Sequence, residues 1–158
     1  MCSDRAAGRP LENEKLRKAG LKVTLPRVKV LEILEQVQQN EDAHHLTAED
    51  VYRRLIESGS EIGLATVYRV LSQFETAGLV QRHHFEGGQA VFELARGRHH
   101  DHIVCVQCGK VEEFVDDVIE RRQENIARQR EFDLQKHSLV LYANCLRCDH
   151  EEEEGGNG

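Results

Sequence analysis

The sequence predicts an α+β fold in which a winged helix-turn-helix domain comes first and a smaller domain of strands and one helix follows. Three observations lead to this prediction. Apolar residues recur at helical spacing in segments before residue 79, a β-hairpin pattern follows them, and the remainder alternates strand and helix patterns. Helices followed directly by a β-hairpin are the order of a winged helix-turn-helix, whose last helix lies in the DNA major groove.

Two helices are predicted near the start of the chain. The segment "NEKLRKAG" (13–20) predicts a short basic helix that ends at Gly20. The segment "VTLPRVKVLEILEQV" (23–37) predicts the second, with Thr24 as its cap and Pro26 in its first turn. Its expected inner face consists of Val28, Leu31, Ile33 and Leu34.

Two further helices complete the predicted helical part. In "LTAEDVYRRLIESG" (46–59), Thr47 and Asp50 have the spacing of a capping box, and Gly59 follows the expected end. "GLATVYRVLSQFETAG" (63–78) predicts the DNA-reading helix. Its apolar stripe is Leu64, Val67, Leu71 and Phe74, which leaves Thr66, Tyr68, Arg69 and Gln73 to face outward.

The strands are predicted from two hairpin patterns and one late segment. "LVQRHHFEGGQAVFEL" (79–94) predicts two strands joined by a two-residue turn at Gly87-Gly88. A loop at 95–98 precedes "HHDHIVCVQCGKVEEF" (99–114), which predicts a second hairpin. A helix in "DDVIERRQENIARQREF" (116–132) and a strand in "LQKHSLVLYANC" (134–145) follow.

Composition and charge bound the class of protein. With 158 residues, of which 39% are hydrophobic, one ordinary domain or two small ones can form a core. No segment approaches the ~20 apolar residues of a membrane span, and "MCSDRAAGRP" lacks a secretory signal, so a cytoplasmic protein is expected. Residues 1–84 hold 12 Lys+Arg and 12 Asp+Glu, whereas residues 85–158 hold 9 and 16. The segment 15–29 carries six basic residues and no acid, which suits a DNA-binding half.

Four of the five cysteines form two Cys-x-x-Cys pairs, Cys105/Cys108 and Cys145/Cys148. Two such pairs, far apart in sequence, are typical of a tetrahedral structural zinc site in a cytosolic protein. A redox pair and unpaired buried thiols are the alternatives. No βαβ pattern surrounds either pair, which weighs against a thioredoxin-like role.

Histidines and acids cluster at residues 99–102. On a β-strand successive side chains alternate between faces, so His99 and Asp101 are expected on one face and His100 and His102 on the other. Two mixed nitrogen/oxygen metal sites are therefore predicted, with further ligands from His45, Glu93, Glu113, Glu120 and His137. The alternative is a polar surface loop that contains histidines. His44, His83 and His84 are expected to face solvent or help to position DNA.

Several segments resemble the ferric uptake regulator family, from about Lys18 to Cys148. They are "KAGLKVTLPRVKVLEIL", "HHLTAEDVYRRL", "EIGLATVYRVLSQFETAGLV", "FEGGQAVFEL", "HHDHIVCVQCGKVEEF" and "HSLVLY". The resemblance implies a winged-helix DNA-binding domain at 1–94, a hinge loop at 95–98 and an α/β dimerisation and metal-binding domain at 99–148. An acidic tail at 149–158, expected to be disordered, lies outside the family pattern.

The resemblance also implies ligand sets and DNA contacts. A sensing site that bridges the two domains would use His45, Glu93, His100, His102 and Glu113. A second site would use His99, Asp101, Glu120 and His137, and structural zinc would be held by Cys105, Cys108, Cys145 and Cys148. DNA contacts would fall on Lys22, near the minor groove, and on Thr66, Tyr68 and Arg69.

The implied function is metal-dependent transcriptional repression. An Fe(II)-loaded homodimer, with a tetramer as an open alternative, would bind a palindromic DNA operator and repress iron-acquisition genes; Mn(II) or Zn(II) could substitute for iron. Zinc- and manganese-sensing members share most of the ligands and are alternatives. Peroxide-sensing members are a further alternative, although they tend to carry aspartate where this chain has Glu93 and Glu113. A metalloenzyme and a metal-storage protein are the rival classes, and neither accounts for the winged-helix order.

Overall fold

The structure is a computed structural model, and it describes residues 10–39, 45–86, 88–95 and 99–146. The chain divides into two compact units, Met1–Gly97 and Arg98–Gly158, hereafter unit 1 and unit 2. Within the described part, no helix is long and apolar enough to cross a membrane. His44, Cys148 and the acidic tail lie outside the described residues, as does most of the expected hinge loop.

Unit 1 begins with helices α1 (Pro10–Lys18), α2 (Leu25–Gln38), α3 (Ala48–Glu57) and α4 (Leu64–Thr76). Thr24 occupies the N-cap of α2 with Pro26 in the first turn, as predicted, although the Thr24 side chain makes no capping hydrogen bond. The capping box of α3 is confirmed, because the Thr47 hydroxyl accepts from the Asp50 N–H and Asp50 accepts from the Thr47 N–H. The first helix starts three residues earlier than the predicted segment.

The wing of unit 1 is an antiparallel pair of β1 (Val80–His84) and β2 (Ala90–Leu94). The predicted two-residue turn is wrong: His84 pairs with Ala90, so the connection spans residues 85–89. On the free side of β2, Leu46 pairs with Phe92 through two backbone hydrogen bonds of 3.1 and 2.7 Å. This bridge fixes the segment before α3 beside β2.

The hydrophobic core of unit 1 lies between α2, α3, α4 and the wing. All four residues predicted for the inner face of α2 are buried, and so are three of the four predicted for α4, with Leu64 partly exposed. Helical periodicity thus identified the packed faces correctly, and the opposite face of α4 is exposed to solvent.

Unit 2 contains β3 (Asp101–Cys105), β4 (Val111–Phe114), α5 (Asp117–Gln129) and β5 (Val140–Ala143). β3 is central, antiparallel to β4 and parallel to β5, so the strand order is β4-β3-β5. The predicted second hairpin, the helix and the final strand are confirmed. Two of the predicted strands are shorter than expected. β3 begins at Asp101, and β5 occupies four residues of the predicted segment 134–145.

Unit 2 buries little of its own surface. Among the described residues, its buried side chains are Asp101, His102, Val104 and Cys105, and none of the residues of α5 is buried. Phe132 is 72% exposed and Val118 is 67% exposed. The predicted α+β class, with a winged-helix half and a strand-rich half, is confirmed.

Candidate metal centres and DNA-binding surface

Unit 1 carries a buried carboxylate between two histidines. Glu93 lies on β2, and its side chain is 6% exposed. His45 Nε2 is 3.0 Å from Glu93 Oε2, and His83 Nε2 is 2.7 Å from Glu93 Oε1. The pairing of Leu46 with Phe92 explains the first contact, because the antiparallel register places His45 opposite Glu93. We call His45, His83, Phe85 and Glu93 the Glu93 cluster.

The position of His83 overturns its predicted exposure. Its side chain is 16% exposed, and its ring stacks on Phe85 with centroids 5.7 Å apart and planes inclined by 3°. The strand register shows why: His83 pairs with Val91 and Gln81 with Glu93, so His83 and Glu93 are diagonal neighbours on one face of the hairpin. A two-residue turn at Gly87-Gly88 predicts a different register, in which His83 and Glu93 do not share a face, so the sequence pattern concealed this contact.

Unit 2 brings together three of the predicted sensing ligands, which we call the Glu113 cluster. His102 is directly opposite Glu113 in the β3–β4 register, so their side chains share a face. His100 Nε2 is 3.7 Å from Glu113 Oε1, and the His100 and His102 rings lie 4.9 Å apart. His102 is buried, whereas Glu113 is about a third exposed. Two imidazoles and a carboxylate are ligands that suit divalent transition metals.

The other face of β3 carries the Glu120 cluster, which consists of His99, Asp101, Glu120 and His137. One ligand atom from each lies within 4.8 Å of the others. His137 Nε2 is 2.9 Å from Glu120 Oε2, and His99 Nε2 is 3.2 Å from Asp101 Oδ1. The N–H of Leu139 donates to Asp101 Oδ1 and so orients this fully buried carboxylate.

Within the described part of the chain, three buried atoms of the Glu120 cluster form no hydrogen bond: Asp101 Oδ2, Glu120 Oε1 and, although it lies close to Glu120 Oε2, His137 Nε2. Buried polar atoms without hydrogen bonds are costly, and atoms from three residues that converge in this way fit a bound cation. The predicted sorting of residues 99–102 into two groups agrees with these contacts. Alternation along β3 accounts for Asp101 and His102 but not for His99 and His100, which precede the strand.

The third cluster contains Cys105, Cys108 and Cys145, with ligand atoms within 4.8 Å of one another. Gly109 has a φ of +74°, which allows the tight turn after Cys108, and the parallel pairing of Cys105 with Ala143 brings Cys145 close. Backbone N–H groups of Cys108 and Cys145 lower the pKa of the Cys105 thiol to about 7, which favours the zinc-binding thiolate. Cys105 and Cys108 are free thiols, and Cys108 Sγ lies 3.6 Å from Cys145 Sγ.

The outer face of α4 presents the predicted DNA-contacting side chains. Tyr68 is 44% exposed, Arg69 is exposed and Thr66 is partly exposed. The Tyr68 hydroxyl donates a 2.6 Å hydrogen bond to Glu49 of α3. This bond raises the pKa of Tyr68, because the carboxylate accepts from the neutral phenol. Sequence reasoning missed Glu49, which carries no spacing signal relative to α4.

The exposed Lys22 lies in the segment before α2, where Arg27 holds the backbone. Arg27 Nη1 donates to the Lys22 carbonyl at 2.8 Å, while Nε and Nη2 donate to Gln73 Oε1 at 3.1 and 3.0 Å. One guanidinium therefore ties the predicted minor-groove residue to the DNA-reading helix. Sequence analysis counted Arg27 only as a basic charge.

Together, the winged-helix half with its polar reading face and the metal-ligand clusters define a DNA-binding regulator that responds to metal. A model of the ferric uptake regulator family matches residues 18–142. The chain belongs to this family, and it is a metal-responsive transcriptional regulator. The resemblance noted in its sequence motifs is thereby confirmed.

Individual relatives give the same result. The ferric uptake regulation protein of Legionella pneumophila is 60% identical over 137 residues, which cover 87% of this chain and 98% of the relative. The solved ferric uptake regulator of Vibrio cholerae is 59% identical with a TM-score of 0.76, covering 84% of this chain and 98% of that one. The regulator from Pseudomonas aeruginosa, solved with manganese, is 57% identical with a TM-score of 0.73, covering 87% and 99%.

Proposed function

We propose that this protein is an iron-responsive repressor whose Fe(II)-loaded homodimer binds a palindromic operator and represses iron-acquisition genes. The observation that carries the proposal is that side chains able to bind transition metals are clustered in both units. His45 and Glu93 belong to unit 1, and the Glu113 cluster belongs to unit 2. An ion that takes ligands from both would couple metal binding to the arrangement of the DNA-reading helices.

The proposed sensing site consists of His45, Glu93, His100, His102 and Glu113. Because its ligands come from both units, the ion would bind one arrangement of the units more tightly than the others. This difference in affinity would shift the equilibrium between the arrangements. In a homodimer, the favoured arrangement would hold two α4 helices at the half-site spacing of an operator, about 34–36 Å or a multiple. Lys22, Thr66, Tyr68 and Arg69 are the proposed DNA contacts.

Two further sites are proposed in unit 2. The Glu120 cluster offers two imidazoles and two carboxylates, and its three buried atoms without hydrogen bonds support a bound divalent ion. The three described cysteines, with Cys148 as the fourth ligand, would hold a structural Zn(II). That ion would fasten the chain beyond β5 to the turn after β3.

Iron is the proposed regulatory ion for two reasons. The matched relatives carry the name of ferric uptake regulation, and mixed imidazole and carboxylate ligands suit a divalent iron that must exchange. Such ligands bind Zn(II) more tightly than Fe(II) in the usual affinity order, so selectivity depends on geometry and on the free ions in the cell. Mn(II), with which a relative was solved, is the expected substitute in experiments.

The surface of unit 2 supports the homodimer. Among the described strands, β5 pairs with β3 alone, and Leu141 and Tyr142 of β5 are each 41% exposed. Ile126 of α5 and Phe132 beyond it add exposed apolar area. A second copy of this chain would cover these exposed side chains, as in other symmetric homodimers, and would add buried apolar area to the small core of the described part of unit 2. A tetramer remains the alternative.

A metalloenzyme is the rival that the ligand clusters alone would allow. The reading face of α4 and the basic segment before α2 favour a DNA partner, which also makes the cytoplasm the expected location. A storage protein would bind metal without binding an operator. The following experiment therefore separates the three classes.

Operator affinity should be measured at fixed salt with metal-stripped protein and with Fe(II) under anaerobic conditions, Mn(II) or Zn(II). We expect binding to strengthen by roughly 5–150-fold on loading. His100→Ala and Glu113→Ala should reduce this gain, because each removes a proposed ligand. Glu112→Ala is the matched control, since Glu112 neighbours Glu113 on β4 but is exposed and pairs with Lys110. Stripped protein that binds as tightly as loaded protein would refute the proposal.

A further inference from the structure

The Glu93 cluster contains one histidine that the proposed sensing site does not use. His83 Nε2 lies 2.7 Å from Glu93 Oε1, closer than His45 Nε2 lies to Glu93 Oε2, at 3.0 Å. The two histidines thus contact different oxygens of one carboxylate. Since an ionised carboxylate only accepts hydrogen bonds, a hydrogen bond at this distance requires His83 to carry its proton on Nε2.

The surroundings of His83 hold its ring in one orientation. The buried Phe85 ring stacks against it almost in parallel, and the His45 ring approaches at 5.8 Å in an edge-on arrangement. β1 supplies the backbone, and its register with β2 places His83 diagonally across from Glu93. A ring that is packed on one side and hydrogen-bonded at its tip has little rotational freedom.

We infer that His83 is a positioning residue for metal binding: it holds Glu93 Oε1 so that Oε2 is directed toward His45. This inference rests on the proposed function, in which His45 and Glu93 are ligands. Outer hydrogen-bond partners of a carboxylate ligand restrict its orientation and typically contribute a factor of about 10–100 to metal affinity. Without His83, a carboxylate that is only 6% exposed would lose this partner and reorient.

Substitutions at His83 separate positioning from other roles. His83→Leu removes the donor, whereas His83→Gln offers an amide N–H that can donate to the same oxygen. His84→Leu is the matched control, because His84 is the next residue of β1 and is exposed. Mn(II) affinity should be measured by calorimetry, and the thermal midpoint of each metal-free variant should be recorded in parallel.

We expect His83→Leu to weaken Mn(II) binding by roughly 10–100-fold, with His83→Gln recovering most of the loss and His84→Leu matching the parent. In the parent without metal, ¹⁵N NMR should show His83 protonated on Nε2. Unchanged Mn(II) affinity in His83→Leu would overturn the inference. An Mn(II) affinity in His83→Gln as low as in His83→Leu would also overturn it, because the imidazole itself would then be the ligand. Failure of the proposed function would give a different result: the operator affinity of the parent protein would be the same with and without metal.

Discussion

At the level of single residues, the contact between Tyr68 and Glu49 yields a prediction about the DNA-reading surface. The carboxylate of Glu49 accepts from the Tyr68 hydroxyl and raises the pKa of Tyr68, so this phenol stays neutral up to a higher pH than an ordinary tyrosine. Glu49→Gln removes the charge and leaves a weaker acceptor. The pKa of Tyr68 should therefore fall toward its ordinary value, as followed by NMR of ¹³Cζ-labelled tyrosine during an alkaline titration.

The same substitution has a consequence for DNA binding. Glu49→Gln removes a negative charge beside the proposed major-groove contacts, so affinity for DNA of any sequence should rise. Glu57→Gln, an equal change of charge at the far end of α3, is the control. If the Tyr68 resonance titrates identically in parent and Glu49→Gln proteins, the hydrogen bond does not persist in solution.

The ligand residues show what residue-level reasoning from sequence achieves. Alternation along a strand assigned Asp101 and His102 to opposite faces, and the contacts of each agree. His83 was missed because its partner, Glu93, depends on a register that a wrongly assigned turn concealed. Arg27 and Glu49 were missed for another reason: their partners lie on other helices, and packing angles between helices have no local signal in sequence.

At the level of elements, Arg27 links α2, the segment before it and α4. Its guanidinium donates to the Lys22 carbonyl and to Gln73 Oε1, so the segment that carries Lys22 is tied to the helix that carries Tyr68 and Arg69. Arg27→Lys keeps the positive charge but cannot make these three bonds with a planar fork. We expect operator affinity to fall by about tenfold while the salt dependence of binding stays unchanged, because the number of phosphate contacts is preserved.

Lys22→Ala provides the comparison for Arg27→Lys. Removing a side chain that contacts phosphate should weaken binding to all sequences and reduce the salt slope by about 1. Both slopes can be obtained from fluorescence anisotropy at several salt concentrations. An Arg27→Lys protein that binds the operator as tightly as the parent would show that Arg27 does not position these elements.

The helices and strands themselves were largely predictable, for local reasons. The capping box of α3 involves residues three apart, and the buried faces of α2 and α4 follow helical periodicity, so each signal lies within its own segment. The connection between β1 and β2 was not predictable in this way. The two glycines suggested a two-residue turn, whereas pairing begins at His84 and Ala90 and leaves residues 85–89 in the loop.

At the level of the whole molecule, the two units differ in how they are stabilised. Unit 1 has a continuous apolar core, and a buried leucine such as Leu31 would cost about 2–5 kcal/mol on truncation to alanine. In unit 2, the described part buries four side chains, three of which are proposed metal ligands. In the proposed function, bound metal and a second copy of the chain supply further stability to unit 2, and the composition of the sequence carries no signal for either contribution.

This difference predicts the effect of a charge at an exposed apolar residue of α5. Ile126 of α5 is 43% exposed, so Ile126→Glu should leave the fold of the chain intact, but an unpaired carboxylate buried at a dimer interface costs about 3–5 kcal/mol. The dimer dissociation constant should rise by more than about 100-fold. Ile56→Glu on α3 is the control, because Ile56 is 49% exposed in unit 1. Sedimentation should give the 18.1 kDa chain mass for Ile126→Glu and twice that mass for the parent and the control. A dimeric Ile126→Glu protein would show that Ile126 does not lie in the dimer interface.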